Sequence, residues 1–269
     1  MSIHTPQCRD CSRDTSQGHG LFVDRVSADW HDLNGNYFDG WICRDCMAEI
    51  DRELNASKLI LDVCGGTGSW SQPYRDAGYT VIVLDPEAFT DNAGGAAIVG
   101  GSGDVCDPRY HVQGCFGMPV HGILLAPPCT EFASSGARWW KGKAENSPEL
   151  LADAIKVAQA CLDLVAVHKP AFWVLENPRG SMRRLLNLGA TTAVVQPHQF
   201  AGYATVERND CYTKETFLWG AFTVPTKDSR PPVLGSKMHT QYGGKSARTK
   251  RMRSATPEGF ARAFYIANP

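Results

Sequence analysis

A cysteine follows two prolines at the end of an apolar run, in the stretch LLAPPCTEF (124–132). Proline fixes φ and donates no backbone hydrogen bond, so Pro127 and Pro128 must end a strand that runs through the preceding residues. The chain then leaves the sheet stiffly and presents Cys129 at a defined point. A thiolate is a strong nucleophile when its pKa is lowered or its substrate is activated. Because most cysteines at strand ends are inert, a nucleophilic role for Cys129 needs a second group beside it.

A glutamate can provide that second group. Glu176 ends the apolar run AFWVL (171–175), and an apolar setting favours the protonated form of a carboxyl group. A protonated carboxyl group can donate a hydrogen bond to a ring nitrogen, and Asn177 adds a side-chain amide next to it. The alternative is that Glu176 caps a helix over residues 179–187. We favour catalysis, with Cys129 as nucleophile and Glu176 as proton donor.

Three glycines follow another apolar run, in LDVCGGTGSW (61–70). Gly65, Gly66 and Gly68 allow positive φ and a close approach of the backbone to a ligand. The dinucleotide pattern Gly-x-Gly-x-x-Gly is not met. Asp85 lies 17 residues after Gly68, where its carboxylate could hold ribose hydroxyl groups. The alternative is a tight turn followed by a surface aspartate.

These residues lie at the ends of predicted strands. Short apolar runs followed by turn residues predict buried strands, and longer periodic stretches predict helices. The predicted strands are 58–63, 80–85, 121–126 and 171–176, and the predicted helices are 69–78 and 147–169. This alternation indicates an α/β fold with a mostly parallel sheet, in which ligands bind beyond the carboxyl ends of the strands. Asp104, after the weak strand AAIVG (96–100), is a third candidate contact or an ordinary turn aspartate.

Four segments together resemble the cytosine-5 DNA methyltransferases. APPCTEFASSG (126–136) resembles the Pro-Pro-Cys nucleophile motif of that family, and LENP (175–178) resembles its Glu-Asn-Val motif. LDVCGGTG (61–68) is similar to the Asp-x-Phe-x-Gly-x-Gly cofactor loop, and TPEGFARAF (256–264) is similar to the C-terminal helix. The resemblance covers residues 58–264. It implies a class I methyltransferase (Rossmann-like) fold, with helices on both faces of the sheet.

The resemblance also implies a mechanism. S-adenosyl-L-methionine would donate a methyl group, Cys129 would attack C6 of a cytosine, and Glu176 beside Asn177 would protonate or hydrogen-bond N3. The target base in DNA would be flipped out, because it cannot be reached inside the stack. Asp85 would hold the donor's ribose and Asp104 its adenine amine. The residues implied to bind the donor are Asp62, Cys64, Gly65, Gly66, Gly68, Asp85, Pro86, Asp104, Val105 and Pro127.

The chain departs from the family pattern at several positions. Cys64 replaces a phenylalanine, Thr130 replaces the glutamine after the nucleophile, and Pro178 replaces a valine. No clean Gln-x-Arg-x-Arg motif is present, and Arg208 is either the contact to cytosine O2 or an exposed arginine. Residues 198–220 look more like the short phage-encoded members, with Lys-x-Thr before a Leu-Trp strand. Only 35 residues then precede the last motif, too few for the usual target-recognition domain.

Two CRDC pairs, at residues 8–11 and 43–46, precede this region. Four thiolates can form a tetrahedral zinc site, and zinc can fold a segment too small to fold alone. The alternative is a set of unpaired, reduced cysteines. The segment DLNGNYFDGWI (32–42) predicts a hairpin around Asn-Gly, and MAEIDRELNA (47–56) predicts a helix. The predicted ligands of a structural Zn²⁺ are Cys8, Cys11, Cys43 and Cys46.

The chain is therefore predicted to contain a zinc-binding module over residues 1–56 and a catalytic domain over residues 57–269, with a short basic insertion near 225–253. KMHTQYGGKSARTKRMR (237–253) holds six Lys/Arg residues and no acid, which favours contact with phosphates over a merely solvated loop. ARWWKGK (137–143) mixes aromatic and basic residues after the nucleophile. We expect it to be a mobile loop that closes over DNA, although its tryptophans could be partly in the core.

Length and composition limit the classes of protein to which this chain can belong. The 269 residues, of which 43% are hydrophobic, suit one α/β domain with a small appended module. The net charge of −1 gives no global argument for nucleic acid, so that argument has to be local. No apolar run reaches membrane-spanning length, and the N-terminal residues form no signal peptide. We expect a cytoplasmic protein of a bacterial or phage-infected cell, monomeric and without a membrane partner.

Three functions remain open at this point. The first is a DNA cytosine-5 methyltransferase, which we favour. The second has the same chemistry with RNA (tRNA) as substrate, since a tRNA-acting branch shares these motifs. The third is a catalytically silent, zinc-bearing nucleic-acid-binding protein, against which the intact Cys129 and Glu176 argue.

Overall fold

The structure is a computed structural model, which describes residues 8–11, 26–27, 30–31, 37–38, 41–86, 103–241 and 246–269. The chain divides into two compact units, Met1–Ala56 and Ser57–Pro269. The predicted strand AAIVG and the predicted Asn-Gly turn lie outside the described residues.

In the first unit, two pairs of short strands precede a helix. β1 (Val26–Ser27) pairs antiparallel with β4 (Trp41–Ile42), and β2 (Trp30–His31) pairs antiparallel with β3 (Tyr37–Phe38). β2 and β3 flank the predicted Asn-Gly turn, as a hairpin there requires. α1 (Arg44–Ala56) confirms the helix predicted in this part of the chain. The described core consists of Cys8, Ile42 and Cys43, with Cys46, Met47 and Ile50 packed against them.

Six strands among the described residues of the second unit form one sheet. They are β5 (Leu59–Val63), β6 (Thr80–Leu84), β7 (Val120–Leu125), β8 (Phe172–Pro178), β9 (Ala193–Val195) and β10 (Thr216–Ala221). Their spatial order is β6-β5-β7-β8-β10-β9. The first four run parallel, and β10 is antiparallel to both β8 and β9. The predicted α/β fold with a mostly parallel sheet is confirmed.

Helices cover both faces of this sheet, as predicted. Ala158, Cys161 and Leu164 of one long helix pack against one face, and Tyr74 and Phe264 of two others pack against the opposite face. The described helices are α2 (Gln72–Asp76), α3 (Trp140–Asn146), α4 (Pro148–His168), α5 (Met182–Leu185), α6 (Glu207–Asp210), α7 (Lys237–Thr240), α8 (Ala247–Ser254) and α9 (Glu258–Ala267).

Strand and helix ends follow the local chemistry of the chain. β5 is buried along its whole length, and its run of aliphatic residues suits a strand that is covered on both faces. β7 ends at Leu125, two residues before Pro127, because proline cannot continue the hydrogen-bonded ladder. α4 begins at Pro148, whose missing N–H costs nothing in a first helical turn.

One local prediction differs from the structure. The segment 137–143 is helical rather than a loop, since it lies in the 3-10 helix Ser134–Trp139 and in α3. Ser147 stands at the N-cap position of α4, but its side chain makes no capping hydrogen bond. Its φ of −153° and ψ of 59° lie outside the usual extended conformation of a capping serine.

Candidate active site and cysteine cluster

The segment after β7 is bound to the end of β8 by backbone hydrogen bonds. The N–H of Phe132 donates to the carbonyl of Cys129 at 3.0 Å, which closes a turn around the candidate nucleophile. The N–H of Ser134 donates to the carbonyl of Arg179 at 2.9 Å, and the N–H of Ser181 donates to the carbonyl of Phe132 at 2.8 Å. The loop that carries the thiol is therefore attached to the strand that carries the candidate carboxyl group.

The side chain of Asn177 adds a further hydrogen bond between the nucleophile loop and β8. This side chain is buried, and its Nδ2 donates to the carbonyl of Pro127 at 3.1 Å. Because side chains alternate along a strand, Asn177 points to the face of β8 opposite to Glu176. Its Oδ1 has no hydrogen-bond partner among the described residues. This is the geometry of a positioning residue, and the contact with substrate expected for Asn177 stays a prediction.

Glu176 and Lys214 form an ion pair close to Cys129. Oε1 of Glu176 is 3.9 Å from Nζ of Lys214, and the two side chains are only 20% and 22% exposed. Burial raises the pKa of the Cys129 thiol, and the carboxylate of Glu176 raises it further. The charges of Lys214 and Arg253 oppose this rise. Although Cys129 is exposed as a residue, its sulfur thus lies within electrostatic range of the candidate proton donor.

A pocket opens beside Glu176. Ser254 and Thr256 line the pocket together with Glu176. The Oγ of Ser254 lies 4.0 Å from the point that a Cβ on Gly66 would occupy, and the N–H of Thr256 donates to Oγ of Ser69 at 2.9 Å. The lining includes a residue of the nucleophile loop, Ala126, but not the cysteine itself. The carboxyl pocket and the glycine turn therefore share a wall.

Two of the three glycines in the turn have the positive φ that the sequence suggests, and Cys64 has it in place of Gly65. The φ angles of Cys64, Gly66 and Gly68 are 57°, 50° and 65°, in the left-handed region that favours glycine. The N–H of Gly66 donates to Oδ2 of Asp85 at 2.9 Å. A Cβ on Gly66 would meet Oδ2 of Asp85 at 3.9 Å and Oγ of Ser254 at 4.0 Å, which are ordinary contact distances without overlap. The turn forms a cradle with Asp85 at its edge.

Asp62 lies beneath this turn. Its side chain is fully buried, and its Oδ2 accepts a hydrogen bond from Oγ of Ser71 at 2.6 Å. Burial raises the pKa of Asp62 to about 6, although Ser71 and the charge of Arg75 act in the opposite direction. A side chain on Gly65 would overlap the carboxylate of Asp62. Sequence reasoning missed Ser71 and Arg75, because no local pattern links them to the turn.

The other residues expected to bind the donor differ in exposure. Asp104 is exposed, and its Oδ1 accepts a hydrogen bond from the N–H of Cys106 at 2.9 Å. Pro86 is exposed directly after β6 and Asp85. Val105 and Pro127 are buried, so they can offer a ligand little beyond their backbone. Their roles stay predictions.

Arg208 lies away from the pocket, and a lysine provides the cation there. Arg208 is exposed on α6 and is not among the residues that line the pocket. Lys214 is, together with Thr216 at the start of β10. The Lys-x-Thr pattern before an apolar strand marked Lys214 in the sequence. The contact between Lys214 and Glu176 could not be predicted from that pattern.

The four cysteines of the first unit come together in space. Their sulfur atoms all lie within 4.8 Å of one another, and the sulfurs of Cys11 and Cys43 are 3.7 Å apart. Tetrahedral zinc with bonds of about 2.3 Å would separate its sulfur ligands by about 3.8 Å. The N–H of Cys43 also donates to the sulfur of Cys8 at 3.3 Å. The cluster is compatible with a zinc ion.

The thiols of this cluster differ in acidity. Desolvation raises the pKa of Cys8, but backbone N–H groups, chiefly that of Cys43, outweigh it and lower this pKa to about 6. The neighbouring thiols of Cys11 and Cys43 raise the pKa of Cys46. Four thiolates at this separation repel one another, and a divalent cation removes that repulsion.

No protein-family model matches the sequence, and no curated protein matches it. Among solved structures, one match is a candidate DNA modification methyltransferase encoded within a prophage of E. coli, with 17% identity and a TM-score of 0.37. The match covers 61% of this chain and 47% of that one, so this chain spans about half its length. Within the described part of the chain, no helix has the length and apolarity needed to span a membrane.

Proposed function

We propose that this protein transfers a methyl group from S-adenosyl-L-methionine to C5 of cytosine in DNA, through a covalent bond between Cys129 and C6 of the base. The observation that supports the proposal is the placement of Glu176, which lies beside Cys129 and shares a pocket with the wall of the glycine turn. Methyl transfer to a pyrimidine needs such a nucleophile and proton donor on one side and a nucleoside cradle on the other.

The protein's own groups account for the bond changes at the base. Glu176 donates a hydrogen bond or a proton to N3, which makes C6 electrophilic, and the thiolate of Cys129 then forms a bond to C6. Electron density moves to C5, which takes up the methyl group. Loss of the C5 proton and cleavage of the bond between sulfur and C6 regenerate the thiolate. Asn177 contributes by fixing the loop that carries the thiol.

The glycine turn fits a nucleoside donor. Gly66 has a positive φ and donates its N–H to Asp85, and Asp104 is exposed. These three residues would hold the donor, with Asp85 on the ribose hydroxyls and Asp104 on the adenine amine. When bound, S-adenosyl-L-methionine supplies an activated methyl group. Cys64 leaves the adenine without the usual aromatic contact.

DNA is the proposed partner because Lys214 lines the pocket and a basic helix ends at it. The sequence of α8, ARTKRMRS, holds four Lys/Arg residues, and the helix ends at Ser254, which lines the pocket. Arg253 acts electrostatically on Cys129 from the same helix. Positive charge next to a base pocket favours binding of the phosphate backbone, with the target base flipped into the pocket.

The cysteine cluster is proposed to hold one structural Zn²⁺. The sulfur separations suit tetrahedral coordination by four thiolates, which leaves no open position for a water molecule and therefore no catalytic role. We also propose that residues 1–56 form the zinc-binding module and residues 57–269 the catalytic domain.

The function can be tested by methyl transfer from labelled S-adenosyl-L-methionine. DNA, a tRNA pool and free nucleotides would be offered to the wild type, to Cys129→Ser and to Cys115→Ser, an exposed cysteine outside the pocket lining. We expect label in DNA with the wild type and Cys115→Ser and none with Cys129→Ser. DNA containing 5-fluorocytosine should form a stable covalent adduct, because a fluorine at C5 cannot leave as a proton would.

The outcomes separate the competing functions. Label in RNA alone would replace DNA by RNA as the substrate. DNA binding without transfer to any substrate would favour a silent binding protein. Transfer to DNA with Cys129→Ser at the wild-type rate would exclude the covalent mechanism.

A further inference from the structure

Lys214 is a residue that the mechanism above does not use, although it reaches the centre of the site. It lies two residues before β10, and β10 pairs antiparallel with β8 so that Leu218 is opposite Glu176. The segment before β10 therefore passes the end of β8, where the carboxyl group of Glu176 lies. Lys214 and Glu176 line the same pocket.

The contact between these two side chains is loose. At 3.9 Å, Nζ of Lys214 is beyond hydrogen-bond distance from Oε1 of Glu176. The same Nζ lies 3.5 Å from the backbone carbonyl of Arg253, a neutral acceptor at the edge of hydrogen-bond range. An ammonium group held this way can move toward another anion in the pocket without breaking a strong hydrogen bond.

The charge of Lys214 also acts on the thiol of Cys129. The charged groups that act on its thiol come from three elements: Glu176 on β8, Lys214 before β10 and Arg253 on α8. After burial, the carboxylate of Glu176 is the largest cause that raises the pKa of Cys129, and Lys214 is the largest charge that lowers it. Loss of the negative charge on Glu176 would therefore leave Lys214 unopposed beside the thiol.

We propose that Lys214 is a positioning residue that couples the ionisation of the nucleophile to the protonation of the proton donor. Its ammonium pairs with the carboxylate of Glu176 while Cys129 is a thiol, and with the thiolate of Cys129 once Glu176 carries the proton. One proton is shared by two acids, so the proton count is the same in both states. The nucleophile is then active only when Glu176 is protonated for the ring nitrogen. The use of this coupling in catalysis rests on the proposed function.

The test measures alkylation of Cys129 by iodoacetamide against pH, without DNA and without methyl donor. The chain has ten cysteines, so mass spectrometry must follow the peptide that contains Cys129. We expect Lys214→Met to move the midpoint of alkylation to higher pH and Glu176→Gln to move it to lower pH. A shift of half a pKa unit would change the rate below the midpoint about threefold. Lys214→Arg keeps the charge and should restore the wild-type midpoint.

Two controls separate coupling from damage to the fold. Lys227→Met removes an exposed lysine that does not line the pocket and should leave the midpoint unchanged. Thermal unfolding of each variant reports its stability. An unchanged midpoint in Lys214→Met, or a higher one in Glu176→Gln, would overturn the proposal. Alkylation that follows the expected order in a protein that methylates nothing would leave the coupling standing and remove the proposed function.

Discussion

Asp62 is a single residue whose burial has a measurable consequence. It is fully buried under the glycine turn, and its pKa of about 6 in the folded protein lies above the ordinary value of 3.8. Folding therefore favours the protonated form. The stabilisation is fully present below about pH 4 and is lost as the pH rises through about 6, by roughly 3 kcal/mol for a shift of about two units.

Asp62→Asn should remove this pH dependence. The variant keeps an oxygen that can accept the hydrogen bond from Ser71 but has no charge to desolvate. Urea unfolding between pH 4 and 7.5 should show the stability of the wild type falling relative to Asp62→Asn as the pH rises. Asp153→Asn, at an exposed position, is the control and should follow the wild type. Parallel curves for the wild type and Asp62→Asn would contradict the prediction.

Gly65 depends on the same carboxylate. A Cβ at this position would overlap Asp62, which is held by Ser71 and cannot move outward. Gly65→Ala should therefore lower the free energy of unfolding by about 1–3 kcal/mol and weaken binding of the methyl donor. Gly142→Ala, in a helix where a Cβ meets nothing within 4 Å, should instead be stabilising by about 0.5–1 kcal/mol. Equilibrium unfolding and calorimetric titration would measure both effects.

The strand ends β7 and β8 act together through Asn177. This side chain joins the carbonyl of Pro127 to β8 and so determines where the nucleophile loop begins. Gly180 contributes to the same approach, because a Cβ there would overlap the carbonyl of Phe132. The loop can lie this close to β8 because Asn177 makes its hydrogen bond and residue 180 has no Cβ.

Asn177→Ala should loosen this junction. Loss of a buried hydrogen bond should lower the free energy of unfolding by about 1–3 kcal/mol. Displacement of the thiol by even a fraction of an ångström should reduce methyl transfer roughly tenfold to hundredfold. The control is Asn146→Ala, which removes an exposed hydrogen bond to Gly142 and should change neither quantity. A variant with full activity and lowered stability would show that Asn177 has no part in positioning the thiol.

Much at the level of elements was predictable from the sequence. The strands β5 to β8 were predicted within two residues at either end, because buried parallel strands leave continuous apolar runs. The antiparallel pairing of β10 with β8 could not be predicted from the sequence, because it depends on long-range packing. The same pairing brings Lys214 to Glu176, 38 positions earlier in the chain, a contact that no local pattern encodes.

The whole molecule consists of two compact units, and we expect zinc to matter for only one of them. The purified chain should contain about one zinc ion, and Cys43→Ser should contain none, since three thiolates hold the ion far less tightly. Metal analysis would measure this content, with Cys115→Ser as the matched control. Equal zinc content in Cys43→Ser and the wild type would exclude the cluster as the zinc site.

Removal of the metal should also show which part of the chain depends on it. Chelation should expose Met1–Ala56 to proteolysis, because this unit has only a small described core apart from its cysteines. Ser57–Pro269 should remain resistant, since its sheet has an apolar cluster on each face. Loss of both units at the same chelator concentration would contradict this division.

The sequence by itself indicated the candidate groups for catalysis and the positions of the main parallel strands along the chain. Prolines, glycines and apolar runs act over a few residues, so their effects on Cys129, Gly66 and β7 could be predicted locally. Only the tertiary structure decided which side chains meet. It brought Lys214 beside Glu176, buried Asp62 under the turn and left Arg208 on the surface. Contacts between distant parts of the chain depend on how the sheet is paired and packed, which no single segment specifies.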